Sequence, residues 1–304
     1  MKKKIILWVV GVMGIVAIGI GVYAYNIYSN VQKALHEVNQ QLDRSQSPKR
    51  TDEVSVAQKK PISILLAGYD QRPEDTGRSD SLMLMTLNPT AQSMKIVSIP
   101  RDTYTDIIGK GTKDKINHAF AFGGMNMSVN TVENFLNVPV DYYIAVNMEG
   151  FQAFVDAVGG VDVNNDLDFT ADGTHFAKGN VHLDGKQALA YTRMRHEDPN
   201  GDFGRQMRQQ SVLQAVIKKG ASVSSLANYG TILTAIQRNV KTNLTQDDLF
   251  KIQENYKNSR NNVEQIQLNG EGKIMNGIWY YVVSDQTKAD LSKKLRNHLS
   301  LPAQ

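Results

Sequence analysis

Residues 61–102, PISILLAGYDQRPEDTGRSDSLMLMTLNPTAQSMKIVSIPRD, decide the fold. Residues 62–67 are a short apolar run of buried-strand length, closed by a glycine-containing loop. Residues 81–87 and 95–99 read as two further strands, joined by a turn at Asn88-Pro89-Thr90. Downstream, helical and strand patterns alternate. Residues 126–136 predict a helix, 142–146 a strand, and 149–158 a helix stopped by Gly159-Gly160, after which 161–163 restart a strand. Further helices are expected over 186–192, 203–219, 232–238, 247–258 and 286–299, and a strand over 263–268. The helix over 203–219 has the firmest pattern, with Val212, Leu213, Val216 and Ile217 at helical spacing. This alternation predicts an α/β fold, a three-layer α/β/α sandwich around a central mixed sheet. No period of 20–50 residues repeats, which argues against a solenoid or propeller.

Outward from that stretch toward the N-terminus, residues 44–60 are charged, polar and poor in large apolar groups, and read as a linker. Before it, Ile27, Val31, Leu35, Val38 and Leu42 have the spacing of a helix continuing from a membrane. Residues 5–25 carry no charge and follow Lys2, Lys3 and Lys4; as a helix they span roughly 30 Å, the thickness of a hydrocarbon core. A cleaved signal peptide shares the basic start, but its apolar core runs only about 7–15 residues. The expected organisation is a cytoplasmic tail over 1–4, a transmembrane signal-anchor over 5–25, a juxtamembrane helix and linker over 26–60, and an extracytoplasmic domain over 61–304. Lysines on the short side keep that end in the cytoplasm, giving a single-pass protein of the cell membrane with its domain outside. With those three lysines set aside, 31 basic residues face 30 acidic ones, so the pI near 9.0 is no pointer to nucleic acid. The absence of cysteine excludes disulfides, a thiolate nucleophile and zinc–thiolate sites.

The chain has 22 Lys and 12 Arg, yet three short segments hold seven Arg and no Lys: residues 70–80, 98–103 and 193–208. The guanidinium fork grips phosphate or carboxylate through two parallel hydrogen bonds, which an ammonium cannot do. Asp70, Asp80, Asp102 and Asp202 are interleaved with these arginines. Structural Arg–Asp ion pairs would give a similar pattern in one segment; three segments that each join Arg, Asp and turn residues point to a phosphate site. Asp70 falls just after the first strand and Asp80 just before the second. Such a pair suits Mg²⁺, which takes one or two carboxylates and bridges substrate phosphates; turn formation is the plainer role for either. Arg72, Arg78 and Arg101 lie nearby, Arg101 at a strand end, where open α/β sheets present ligand contacts. Asp202 is placed to cap the following helix, with Arg205 and Gln209 one turn apart on one face. Arginine near a helix N-terminus opposes the macrodipole unless an anion sits there.

Familiar catalytic constellations are missing: there is no G-x-S-x-G elbow and no H-E-x-x-H. Gly109-Lys110-Gly111-Thr112 echoes a phosphate loop without its spacing. His118 and His196 read as structural, and Phe120 and Phe122 as core. What is left is electrophilic catalysis, with a metal and several arginines stabilising charge on a transferring phosphoryl group.

LLAGYDQR (65–72), GRSDSLMLMTLNP (77–89), SIPRDTY (98–104), KINHAFAFGG (115–124), AVGGVDV (157–163), HLDGKQALAYTRMRH (182–196) and GDFGRQMRQQ (201–210), in this order, resemble the LytR–CpsA–Psr family of Gram-positive cell-envelope enzymes. The resemblance covers roughly residues 61–224 and is nearest to the short members that attach wall teichoic acid. It implies an α/β domain outside the membrane that transfers a glycan phosphate from an undecaprenyl-pyrophosphate carrier to peptidoglycan. By motif position it places the metal carboxylates on Asp70 and Asp80, for Mg²⁺ or another divalent cation such as Mn²⁺. The pyrophosphate-binding arginines fall on Arg78, Arg101, Arg193, Arg195 and Arg205, with Gln209 beside them and Asp202 and Arg72 in support. Arg101, Arg193, Arg205 and Asp70 are the expected catalytic groups. A pyrophosphatase acting on the same carrier, or a non-catalytic wall-polymer binding module, would carry similar residues.

Overall fold

The computed structural model describes residues 29–302 except 31, 34, 35, 53, 55, 73, 74, 221–236 and 238; the side chains of 71, 72, 75, 76 and 220 are also outside the description. The strands are β1 (Ile62–Arg72), β2 (Asp75–Asn88), β3 (Ser93–Ile99), β4 (Tyr104–Ile107), β5 (Thr112–Lys115), β6 (Tyr142–Asn147), β7 (Val161–Asn165), β8 (Phe169–Ala171), β9 (Thr174–Phe176), β10 (Gly179–Leu183), β11 (Val240–Thr242), β12 (Val263–Gln267), β13 (Glu271–Met275) and β14 (Ile278–Val282). The helices are α1 (His118–Leu136), α2 (Met148–Ala157), α3 (Gly185–Arg193), α4 (Asp202–Gly220), α5 (Gln246–Asn255) and α6 (Asp285–His298).

Six strands form one mixed sheet in the order β11-β6-β1-β2-β3-β12. β1 runs parallel to β6 and β3 parallel to β12, while β2 and β11 run against their neighbours. The strand period of two sorts the apolar residues between faces. Leu65, Ala67, Leu82, Leu84, Val97 and Ile99 point to one side, against Val129, Val132 and Leu136 of α1 and Leu291 and Leu295 of α6. Ile62, Ile64, Met83, Met85, Met94 and Ile96 point to the other, where Leu213 and Ile217 of α4 and Ile252 of α5 lie. Helices therefore cover both faces of the sheet. A third cluster, built on Phe169, Phe176 and Tyr191, fills the space between α2, α3, α4 and β7–β10.

The expected strands and helices appear, several of them longer. β1 and β2 run on past the sheet as a projecting hairpin. α1 begins at His118, eight residues before the expected start, because Gly123 and Gly124 let the chain kink (Gly124 φ 61°) and resume. The helix expected over 232–238 lies outside the described residues. So does the apolar run 5–25; among the described residues no helix is long and apolar enough to cross a membrane.

The linker expected over 44–60 is corrected by the structure. Val38 is buried, Asn39 bridges Thr242, and Leu42 packs on the core. Ser47 Oγ donates to Glu133 (2.6 Å), and Arg44 pairs with the same buried carboxylate. Arg50 grips Asp141 through Nε at 2.8 Å and Nη2 at 2.5 Å. Val56 and Tyr256 close the segment over the sheet. Composition suggested a solvated tether because the stretch is polar; its polar groups instead find partners on α1 and β6. The domain thus starts before residue 61, and this strap belongs to it.

Candidate functional site

β1, β3, β6 and β12 all end at one edge of the sheet, and β2 begins there. At this edge β1 and β2 slip register: Gly68 pairs with Ser81 and Tyr69 with Ser79, leaving Asp80 as the extra residue of a β-bulge. Two residues on, Asp70 pairs with Arg78, whose side chain is exposed. Pro100 ends β3, so Arg101 follows in a turn, and its Nη1 meets Asp80 Oδ1 at 3.0 Å. Its Nε lies 3.5 Å from Asp102, which in turn pairs with Lys115 of β5 at 2.7 Å.

The first turn of α4 closes the edge. Asp202 Oδ1 stands 2.7 Å from Arg205 Nη2, too poorly aligned for a hydrogen bond, while its Oδ2 accepts one from Gln206. Gln209 ties the neighbouring elements together, accepting from Ser81 of β2 (3.1 Å) and donating to Thr192 O of α3 (3.4 Å). Arg205 is only 8 % exposed. Burial lowers its pKa, and the fields of Arg101 and Arg195 lower it further against the opposing pull of Asp202 and Asp80. For Arg101 burial also acts downward, but Asp80, Asp102 and Asp202 outweigh it and the pKa is raised. Arg101, Arg195, Arg205, Asp80 and Asp202 therefore form one electrostatic group.

Five buried side-chain polar atoms among the described residues have no hydrogen-bond partner: Ser79 Oγ, Asn117 Oδ1, Asp202 Oδ1, Arg205 Nε and Gln206 Oε1. All five belong to this edge. Ser79 lies in the bulge, Asn117 donates its backbone N–H to Arg101 O, and the rest sit in the start of α4. Unmet buried donors and acceptors are rare and costly; their concentration here marks a surface prepared for a polar ligand.

Sequence reasoning grouped these residues well, with differences of degree. Arg193 is exposed at the end of α3, Arg195 half-buried, and Asp70 half-buried at the hairpin; the Arg72 side chain lies outside the description. Arg208, one turn from Arg205, is a packing residue: it donates to Tyr191 O and Met194 O, pairs with Asp198, and stacks near Phe169. Lys110 sits in the β4–β5 turn between Gly109 and Gly111, both at positive φ, with its ammonium over the Phe122 ring; the phosphate-loop echo is a hairpin turn. His118 hydrogen-bonds Asp114 (2.8 Å). Two neighbours of the edge escaped the sequence: Lys115, and Tyr281, whose N–H donates to Asp102 O and whose hydroxyl pKa is raised by burial and by Asp202, against a lowering backbone hydrogen bond at Gly270. Lys115 lies in a quoted motif, so its position there was the available signal.

Among the described residues no group of three or more His, Cys, Asp or Glu is gathered as a metal site. Asp70, paired with Arg78, and Asp80, in the bulge, are hard oxygen donors at the same end of the hairpin, the donor type that a divalent cation takes. Asp80 Oδ1 is already paired with the Arg101 guanidinium, so this carboxylate is partly charge-compensated as it stands.

The chain is an α/β protein whose mixed sheet gathers Arg101, Arg195 and Arg205 with Asp80 and Asp202 at the edge where its strands end. It belongs to the LytR_cpsA_psr family, whose model matches residues 25–297. The polyisoprenyl-teichoic acid–peptidoglycan teichoic acid transferase TagU of Bacillus mycoides (strain KBAB4) is 65% identical over 302 residues, 99% of each chain. The crystal structure of B. subtilis TagU is 49% identical and superposes with a TM-score of 0.65, covering 79% of this chain and 97% of that one. TagT bound to LIIa-WTA gives a TM-score of 0.74 at 34% identity, over 86% of this chain and 100% of that one.

Proposed function

We propose that this chain is a membrane-anchored phosphotransferase that moves a glycan phosphate, wall teichoic acid, from an undecaprenyl-pyrophosphate carrier to peptidoglycan. The names and close likeness of its relatives support the reaction class, and a related structure holds a WTA compound. The observation that carries the reading here is the set of unmet polar atoms around Arg205, beside Arg101 at the strand ends.

In this reading Arg78, Arg101, Arg193, Arg195 and Arg205, with Gln209, hold the pyrophosphate, and Asp202 and Arg72 support them. A peptidoglycan sugar hydroxyl attacks the phosphorus bonded to the glycan. The new P–O bond forms as the bond to the bridging oxygen breaks, and the lipid leaves as a monophosphate. Asp70 is the group proposed to accept the hydroxyl proton. Guanidinium groups fixed in a partly dry setting stabilise the charge that grows on the bridging oxygen without having to reorganise. Asp70 and Asp80 would hold Mg²⁺ or Mn²⁺, which when bound supplies further charge neutralisation. The apolar run 5–25 would anchor the protein in the cell membrane as a single pass, N-terminus inside and the three-layer domain outside. No nucleic acid is involved.

The test uses the full chain in vesicles with Mg²⁺, a polyprenyl-pyrophosphate glycan and peptidoglycan oligomers, read by mass spectrometry. Glycan phosphate should appear on the oligomer and vanish with Arg101→Ala or a chelator. Free glycan phosphate formed equally without acceptor would replace the transferase with a pyrophosphatase; intact donor throughout would leave a binding module.

A further inference from the structure

The apolar tip of the β13–β14 hairpin has no role in the reaction, and it is exposed. Ile274 is 75 % accessible, Ile278 48 % and Trp279 46 %, among only seven large apolar side chains exposed in the described residues. The register pairs Ile274 with Trp279 on one face and Met275 with Ile278 on the other, around an Asn276-Gly277 turn with both residues at positive φ. Apolar groups on both faces of a lone two-stranded ribbon are a liability in water. The tip is nonetheless shaped: a Cβ at Gly272 would stand 2.8 Å from Trp279 Nε1, so the indole lies close over that glycine.

The base of the hairpin is fastened to the arginine edge. Tyr281 N–H donates to Asp102 O, and its ring meets Phe203 of α4 edge-on. Tyr280 packs on Tyr104, and Lys115 lies over its ring. The chain also enters the fold from this side. Asn39 bridges Thr242 in parallel, and β11 runs from Val240, beside Val146 at the strand-end edge, toward Thr242. At Asn39 the chain therefore runs away from the edge where Arg101 and Asp70 stand, and 13 residues separate Asn39 from the end of the apolar run. The two charges of the hairpin, Lys273 and Glu271, lie 3.9 Å apart and offset each other, so its tip presents apolar side chains without net charge. Trp at an interface and aliphatic side chains below it are what a headgroup–acyl boundary takes up. A sugar platform would instead surround the indole with hydrogen-bonding side chains, and its cross-strand neighbour here is Ile274.

We propose that Ile274, Ile278 and Trp279 insert into the surface of a lipid bilayer, holding the arginine edge at headgroup level. The use of that position rests on the proposed transfer from a lipid carrier; the insertion itself does not. The chain has two tryptophans, so full-length Trp8→Phe protein reports Trp279 alone. In phosphatidylcholine–phosphatidylglycerol vesicles with brominated acyl chains, Trp279 emission should shift to the blue and be quenched. Ile274→Ser/Ile278→Ser should abolish the quenching with the far-ultraviolet circular dichroism unchanged. Water-like, unquenched emission overturns the proposal, as does equal quenching in the double variant; a spectral change caused only by added peptidoglycan fragments overturns it in favour of a glycan contact. In transfer assays the double variant should lose activity toward a long-chain donor in vesicles and keep it toward a soluble short-chain donor. No transfer from either donor by the parent protein would sink the transferase reading while the quenching still decides insertion.

Discussion

Glu133, under the strap, accepts from Ser47 Oγ and Val140 N–H at 2.6 Å each and pairs with Arg44. Arg205, at the strand ends, is also buried, yet its Nε has no partner and its carboxylate neighbour Asp202 is misaligned. Asp141 repeats the first pattern, taking Arg50 together with Ser63 N–H and Oγ. Both regions pair a buried or half-buried arginine with a carboxylate, Asp202 being more open than Glu133 or Asp141; only one completes their hydrogen bonds. Burial and pairing alone thus do not distinguish an ion pair that holds a fold from one that awaits a ligand. The count of unmet donors and acceptors does.

The largest test of this contrast is Glu133→Ala. Removing one partner of a buried pair costs about 3–5 kcal/mol, so a large fall in the unfolding midpoint is expected in thermal or denaturant melts, with activity per folded molecule unchanged. Arg205→Met should behave in the opposite sense. Transfer should fall about 10²–10³-fold, the effect of losing one preorganised charge stabiliser, while the midpoint holds or rises, because an incompletely paired buried charge is gone. Arg205→Lys should not restore the rate, since an ammonium lacks the fork. A midpoint that drops as far as that of Glu133→Ala would erase the contrast.

His298 sharpens it from another side. Its two ring nitrogens lie 2.8 Å from Thr86 Oγ1 and 2.9 Å from Ser93 Oγ, and burial, aided by Lys95, pushes its pKa down to about 4. The unfolded chain takes up this proton near pH 6.5 and the folded one only near 4. Stability from this group is therefore full above about pH 6.5 and falls with acid between those values, by at most about 1.4 kcal/mol per pH unit. Urea melts should show that slope in the parent and lose it in His298→Gln. The smallest change belongs to the exposed Asp247–Lys251 pair: Lys251→Ala should move stability by no more than about 0.5 kcal/mol, and a larger loss would mean that solvated pairs support this fold too.

Much of the sheet and both its helical layers were legible, because β1, β2 and β3 are apolar runs of buried-strand length and α4 keeps helical spacing. The grouping of Asp80, Arg101, Asp202 and Arg205 was legible in residue type, since lysine is absent where forks are needed. Three features were hidden. The strap looked like a tether because its order comes from Glu133 and Asp141, far along the chain. Arg205 and Arg208 look alike on one helix, and only the side facing Tyr191 and Met194 separates them. The short hairpins were passed over although Asp172-Gly173 and Asn276-Gly277, all four at positive φ, are strong turn signals; strands of three to five residues carry too little period to stand out.

The strap also sets the order in which the molecule can be completed. Asn39 donates its side-chain amide to Leu244 O, 205 residues later. A chain made from its N-terminus has residues 38–50 free long before 133, 141 and 244 exist, so these first segments cannot settle until the domain is nearly whole. Contacts of such sequence separation slow folding and leave apolar strands uncovered meanwhile. That interval is when proteases would find the domain, and Val38, Ser47 and Arg50 are the residues whose docking ends it.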